Sequence, residues 1–142
     1  MTYKQITLFI LFLIFNPINT IQAAPLNKAV LNPELLPICY DTDVCGYMDT
    51  KGKNIITPKF NAAYRFRNDM AIVREGLYGV IDRKGNYIIE PKLQGIEEFS
   101  DSLAVATKDY LLYGYIDISG EFFIKPQFTS VKGFSGGAAP VL

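Results

Sequence analysis

One seven-residue phrase recurs three times, and it constrains this chain more than any other feature. Gly46-Tyr47-Met48-Asp49-Thr50-Lys51-Gly52 opens one copy, Gly79-Val80-Ile81-Asp82-Arg83-Lys84-Gly85 the next, and Gly114-Tyr115-Ile116-Asp117-Ile118-Ser119-Gly120 the third. The offsets are 33 and then 35 residues. The register persists beyond the phrase: Ile56, Ile89 and Ile124 align, as do Pro58, Pro91 and Pro126, then Phe60, Leu93 and Phe128, then Phe66, Phe99 and Phe134, then Ala71, Ala104 and Ala139. A chain that repeats at such a period folds as copies of one small unit, which stack to bury a core that none could bury alone. The two extra residues fall between Ala104 and Gly114, as expected of an insertion absorbed by a connection.

Within a copy, β-branched and aromatic residues fill short runs and helical periodicity is weak. Tyr78-Gly79-Val80-Ile81 reads as a first strand and Asp82-Arg83-Lys84-Gly85 as a turn. There the Asp carboxylate caps backbone N–H groups and the Gly takes positive φ. Tyr87-Ile88-Ile89 reads as a second strand, expected to stop at Pro91 because proline cannot donate to a ladder. A polar connection carrying Phe99 leads to a third strand, Leu103-Ala104-Val105-Ala106-Thr107. The expected fold is all-β: about three tandem three-stranded units with an N-terminal half-unit, in an open array. Propellers usually use about four or more blades of four strands, so closure is disfavoured.

The phrases resemble the WG repeat family, whose pattern runs roughly Trp-Gly-Tyr-Ile-Asp-x-x-Gly, Ile-x-Pro-x-Phe, Phe-x-x-Gly-x-Ala-x-Val. The resemblance covers about residues 38 to 142, and Cys45, Tyr78 and Tyr113 stand at the family's Trp position. It implies an all-β repeat module and carries over no catalytic residue.

Residues 1–23 read as a secretory signal peptide. Lys4 is the only charged side chain before Lys28, the run from Ile6 to Phe15 has one non-apolar member, and Ala23 and Ala24 follow. The run is short of the roughly 20 residues that span a bilayer, although an uncleaved N-terminal anchor is the alternative. Residues 24–37 then form a linker and 38–142 the repeat domain, with units near 46–78, 79–113 and 114–142. The expected location is periplasmic or secreted, with no stable membrane span after cleavage.

Cys39 and Cys45 are the two cysteines. Sliding the repeat back by 33 residues places Cys39 on Ile72 and Cys45 on Tyr78, so Pro37-Ile38-Cys39-Tyr40 reads as a lone third strand and the pair faces across a hairpin. In an oxidising compartment this suggests a structural disulfide, with a redox-active pair as the alternative.

The chain is formally neutral with no basic stripe, which argues against nucleic acid as a partner. It has no His and no Trp, so the commonest general base and metal ligand is missing. Asp49, Asp82 and Asp117 stand alone in their copies and read with Gly52, Gly85 and Gly120 as turn caps rather than calcium ligands. Glu97, Glu98 and Asp101 read as a solvated loop, and Ser100, Ser102 and Ser135 have no histidine to activate them. No cofactor is expected and the chain is read as a non-enzyme. Phe66, Phe99 and Phe134 are the expected core anchors, while Tyr47 and Tyr115 are candidates for a surface that stacks on sugar rings. The final run Ala138-Ala139-Pro140-Val141-Leu142 reads as a lone third strand, either part of a longer array or a docking edge whose contacts are Ala138, Ala139 and Val141. The functional expectation is an exported, non-catalytic repeat module for protein binding or envelope scaffolding. A glycan or cell-wall module using exposed Tyr is the alternative. The sequence leaves the oligomeric state open.

Overall fold

The computed structural model describes residues 33–41 and 43–133, which form three antiparallel sheets and contain no helix. The first sheet is β1 (Leu35–Asp41), β2 (Val44–Asp49) and β3 (Asn54–Phe60), in that order. The second is β4 (Ala62–Ala63), β5 (Met70–Glu75), β6 (Leu77–Asp82) and β7 (Tyr87–Leu93). The third repeats it with β8 (Gly95–Ile96), β9 (Leu103–Thr107), β10 (Tyr113–Asp117) and β11 (Phe122–Phe128). The chain is thus an open all-β array. Each sheet joins the third strand of one copy to the first two strands of the next, so sheets and sequence copies are out of phase.

The recurring phrase builds the turn between the middle and outer strands. Asp82 Oδ1 accepts the N–H groups of Lys84 at 2.8 Å and Asn86 at 2.9 Å, and Gly85 closes the turn at φ 87°. Asp49 serves Lys51 and Lys53 in the same way, and Asp117 serves Ser119 and Glu121. The turn glycine also joins the sheets. A Cβ on Gly85 would lie 3.1 Å from Ile56 Cγ2, and one on Gly120 would lie 2.8 Å from Ile89 Cγ2. Each copy therefore seats its isoleucine on the next copy's turn.

Two expectations about strand ends are corrected. Pro91 does not stop the second strand: β7 continues to Leu93, as β3 continues through Pro58 and β11 through Pro126. The pairing shifts at each proline, from Val80↔Ile89 to Tyr78↔Leu93, so the proline occupies a bulge that needs no N–H donor. The bulge folds over the phrase's first glycine. A Cβ on Gly79 would sit 2.6 Å from the Ile89 carbonyl oxygen and 3.0 Å from Pro91 N, and Gly46 and Gly114 are crowded in the same way. This close approach is why glycine stands there. The strand expected from Pro37 starts at Leu35, inside the expected linker, because Leu35 is buried in the first core.

The polar connection is more regular than expected. Two-residue strands β4 and β8 pair with β5 and β9, and hairpins follow in which Asn68-Asp69 and Asp101-Ser102 all take positive φ. Short polar side chains tolerate that backbone.

The cores lie between sheets. Tyr47, Ile56 and Phe60 from the first sheet meet Ala71, Val73 and Ile81 from the second. One copy later, Val80, Ile89 and Leu93 meet Ala104, Ala106 and Ile116. Phe66 and Phe99 pack against these cores in equivalent places but stay partly exposed, so they flank cores that Tyr47, Phe60 and Leu93 fill. Phe134 and the expected edge Ala138, Ala139 and Val141 lie outside the described residues, as does the expected signal peptide. Cys39 and Cys45 face each other in the β1–β2 ladder and form a disulfide, which ties the first hairpin at a buried sulfur of the core. No helix among the described residues is long and apolar enough to cross a membrane.

Candidate functional site: a tyrosine groove between two sheets

The expected sugar-stacking pair is not on the surface. Tyr47 and Tyr115 are fully buried, and each hydroxyl donates to a backbone carbonyl 17 residues on: Tyr47 to Tyr64 at 2.7 Å and Tyr115 to Lys132 at 3.0 Å. The partner carbonyl satisfies the hydroxyl and lets the ring fill the core, as buried tyrosines require. Burial pushes the Tyr47 phenol well above its ordinary range.

Other tyrosines form a site. Tyr64, Tyr78 and Tyr110 line an open groove of about 610 Å³ between the second and third sheets, together with Ile72, Ile96, Gln94, Glu97 and Glu98. Tyr64 follows β4, and its N–H donates to Ile72 O at 3.0 Å, which fixes its backbone beside β5. Tyr78 sits on β6 immediately before the recurring phrase, at the position that Cys45 and Tyr113 fill in the other copies. The two rings are 6.4 Å apart, tilted by 44°. A hydrogen bond with the Tyr78 hydroxyl, aided by partial burial, holds the Tyr64 phenol above its ordinary range.

Tyr110 lies in the connection lengthened by the two extra residues, and hydrogen bonds hold its loop. Thr107, a buried polar residue at the end of β9, accepts the Tyr110 N–H at 2.9 Å and donates to Leu112 O at 2.8 Å. Asp109 Oδ1 accepts the N–H groups of Leu111 at 2.9 Å and Leu112 at 3.1 Å. These bonds, led by the one from Leu112, hold the Asp109 carboxyl below its ordinary value. They also hold Tyr110 at φ 61°, a left-handed conformation rare for a ring-bearing side chain. The ring lies over Gly95, where a Cβ in place of the glycine hydrogen would be 3.5 Å from Tyr110 Cε1.

Glu97 and Glu98 are exposed at the rim. Glu98 accepts the Arg67 Nε–H at 2.7 Å across the sheet boundary. The structure therefore brings Glu97 and Glu98 together with tyrosines rather than with Asp101, which sits in the hairpin turn beyond them. The arrangement offers ring faces, two aliphatic side chains and carboxylate acceptors in a shallow trough. That inventory suits binding an extended ligand.

The sequence marked Tyr78 only as the aromatic at the family's Trp position, and did not single out Tyr64 or Tyr110 as site residues. The available signal was departure from the repeat: Tyr64 aligns with Glu97 and Lys132, and Tyr110 lies in the lengthened connection. Residues the repeat does not require are free to serve a ligand.

Comparison with the curated proteins and with the solved structures returned no match. The family model described as WG containing repeat matches residues 46–76, 78–111 and 113–142, most of the chain and in phase with the three phrases. The chain belongs to the WG containing repeat family.

Proposed function

We propose that this chain is an exported, non-catalytic module that holds an extended segment of a protein or envelope component in the groove between its second and third sheets. The convergence of Tyr64, Tyr78 and Tyr110 on one open trough carries this reading. Tyrosine presents a large rigid surface at low entropy cost, which is why it is enriched where proteins bind proteins. Export draws support from the Lys4-led apolar run and from the Cys39–Cys45 disulfide, a bond that persists in oxidising compartments. The absence of histidine favours binding over acid–base catalysis.

A peptide-display selection tests the reading. Peptides enriched on the wild-type chain are rebound to a Tyr64→Ala/Tyr110→Ala variant, and the expected outcome is loss of most binding. Retention on the variant rejects the groove as the binding surface. A second reading, a glycan or cell-wall module, is favoured by the same exposed rings beside Gln94 and Glu97. Sedimentation with polysaccharides and peptidoglycan decides it, since retention that disappears in the double variant supports a sugar ligand.

A further inference from the structure

We infer that the segment held in the groove presents a lysine or arginine side chain, whose cation sits against the tyrosine rings with Glu97 as its counter-charge. This rests on the groove being the binding surface and names the chemistry it selects. The lining contains two carboxylates and no Lys or Arg. Glu98 is already engaged by Arg67. Glu97 has no basic partner among the described residues and stands exposed at the rim, with its Oε2 3.9 Å from the position of a Cβ built on Gly133.

The rings supply the second half of the argument. Tyr64 and Tyr78 are 6.4 Å apart and tilted by 44°, so they form an open corner rather than a closed stack. A cation placed between two such rings lies within the roughly 6 Å over which a ring face attracts positive charge. The chain uses this attraction elsewhere, with Lys59 Nζ 4.9 Å from the Tyr87 ring centre and Lys108 Nζ 5.4 Å from that of Phe122. In the groove the rings and carboxylate are in place and the cation is not part of the lining. The apolar stem of a lysine or arginine would lie along Ile72 and Ile96 while its head reaches the rim, the usual placement of such side chains on mixed surfaces. An acidic segment would instead meet the Glu97 carboxylate, unpaired among the described residues, and be repelled.

The test uses the full chain, ¹⁵N-labelled, titrated with three blocked pentapeptides that carry lysine, norleucine or glutamate between glycines. A display-selected peptide serves as a fourth ligand. The lysine peptide is expected to shift the amides of Gly95, Ile96 and Glu97 and to bind about fivefold more tightly than the norleucine peptide. That preference is expected to fall to about twofold or less in Glu97→Gln and with rising salt. Equal affinity for lysine and norleucine, or preference for glutamate, overturns the cation assignment while a groove-directed display peptide upholds the binding surface. Shifts from none of the four ligands overturn both.

Discussion

Substituting Gly79 by alanine probes the fold at its tightest point. Gly79 lies in β6 outside the left-handed region, so backbone conformation raises no objection to a side chain. Alanine would even be favoured over glycine in a strand interior by roughly 0.5–1 kcal/mol, through the entropy of the unfolded chain. Space decides against it. The new methyl would meet the Ile89 carbonyl oxygen at 2.6 Å, Pro91 N at 3.0 Å and Glu90 C at 3.2 Å. All three are backbone atoms, so no side chain can swing away, and the bulge around Pro91 must lift off β6. Overpacking of this kind costs roughly 1–3 kcal/mol, and a rigid neighbour puts it near the top of that range. The net effect is a loss of about 2 kcal/mol. Urea unfolding followed by circular dichroism is the assay. With a slope of about 2 kcal/mol per molar, the midpoint should fall by about 1 M with the slope unchanged. Gly52→Ala, where nothing lies within 4 Å but φ is 81°, isolates the conformational cost and should lose only about 1–2 kcal/mol. If Gly79→Ala matches the parent chain in midpoint, the proline bulge does not press on the glycine and the packing reasoning fails.

Other perturbations follow from the same contacts. Tyr47→Phe removes the hydroxyl that meets Tyr64 O at 2.7 Å and should cost about 1 kcal/mol in chemical unfolding. Reducing the Cys39–Cys45 bond, or replacing both cysteines by serine, should cost about 2 kcal/mol and raise amide exchange first in β1 and β2. Thr107→Val leaves the Tyr110 N–H and Leu112 O without their partner, so display-selected peptides should bind more weakly to it while the thermal midpoint drops by only a few degrees. Asp117, held low chiefly by the Ser119 hydroxyl, has its folded pKa below the ordinary 3.8. Its contribution to stability is therefore complete above about pH 4 and disappears as the pH falls through the folded pKa. An acid titration of Asp117→Asn should lack that part of the parent chain's decline below pH 4.

Much of the architecture was legible because the repeat is written in residues with few alternatives. Asp and Gly at fixed offsets specify the turn, and the half-unit containing Cys39 falls into register simply by sliding the period back. Non-local contacts hid the rest. β4 and β8 are two residues long, too short for alternation to show. Pro58, Pro91 and Pro126 read as stops because a ladder cannot use them, whereas a bulge can. Period-two reasoning also fails for the middle sheet, where Val80 faces one core and Ile81 the other and both are buried. Tyr47 looked like a surface ring because its hydroxyl needs a partner, and that partner lies 17 residues away across a sheet boundary. The groove was invisible for a related reason. Its rings come from a position the repeat leaves variable, from the lengthened connection, and from the residue just before one phrase. Only the fold brings Tyr64, Tyr110 and Tyr78 together.

The most direct test of the binding claim is paramagnetic broadening from a display-selected peptide with a nitroxide at one end, bound to the ¹⁵N-labelled chain. Broadening confined to the amides of Tyr64, Ile72, Gly95 to Glu98 and Tyr110 is the predicted result. Broadening centred on β1 to β3, or on the outward side of β11 around Phe123, would place the ligand elsewhere and contradict the account.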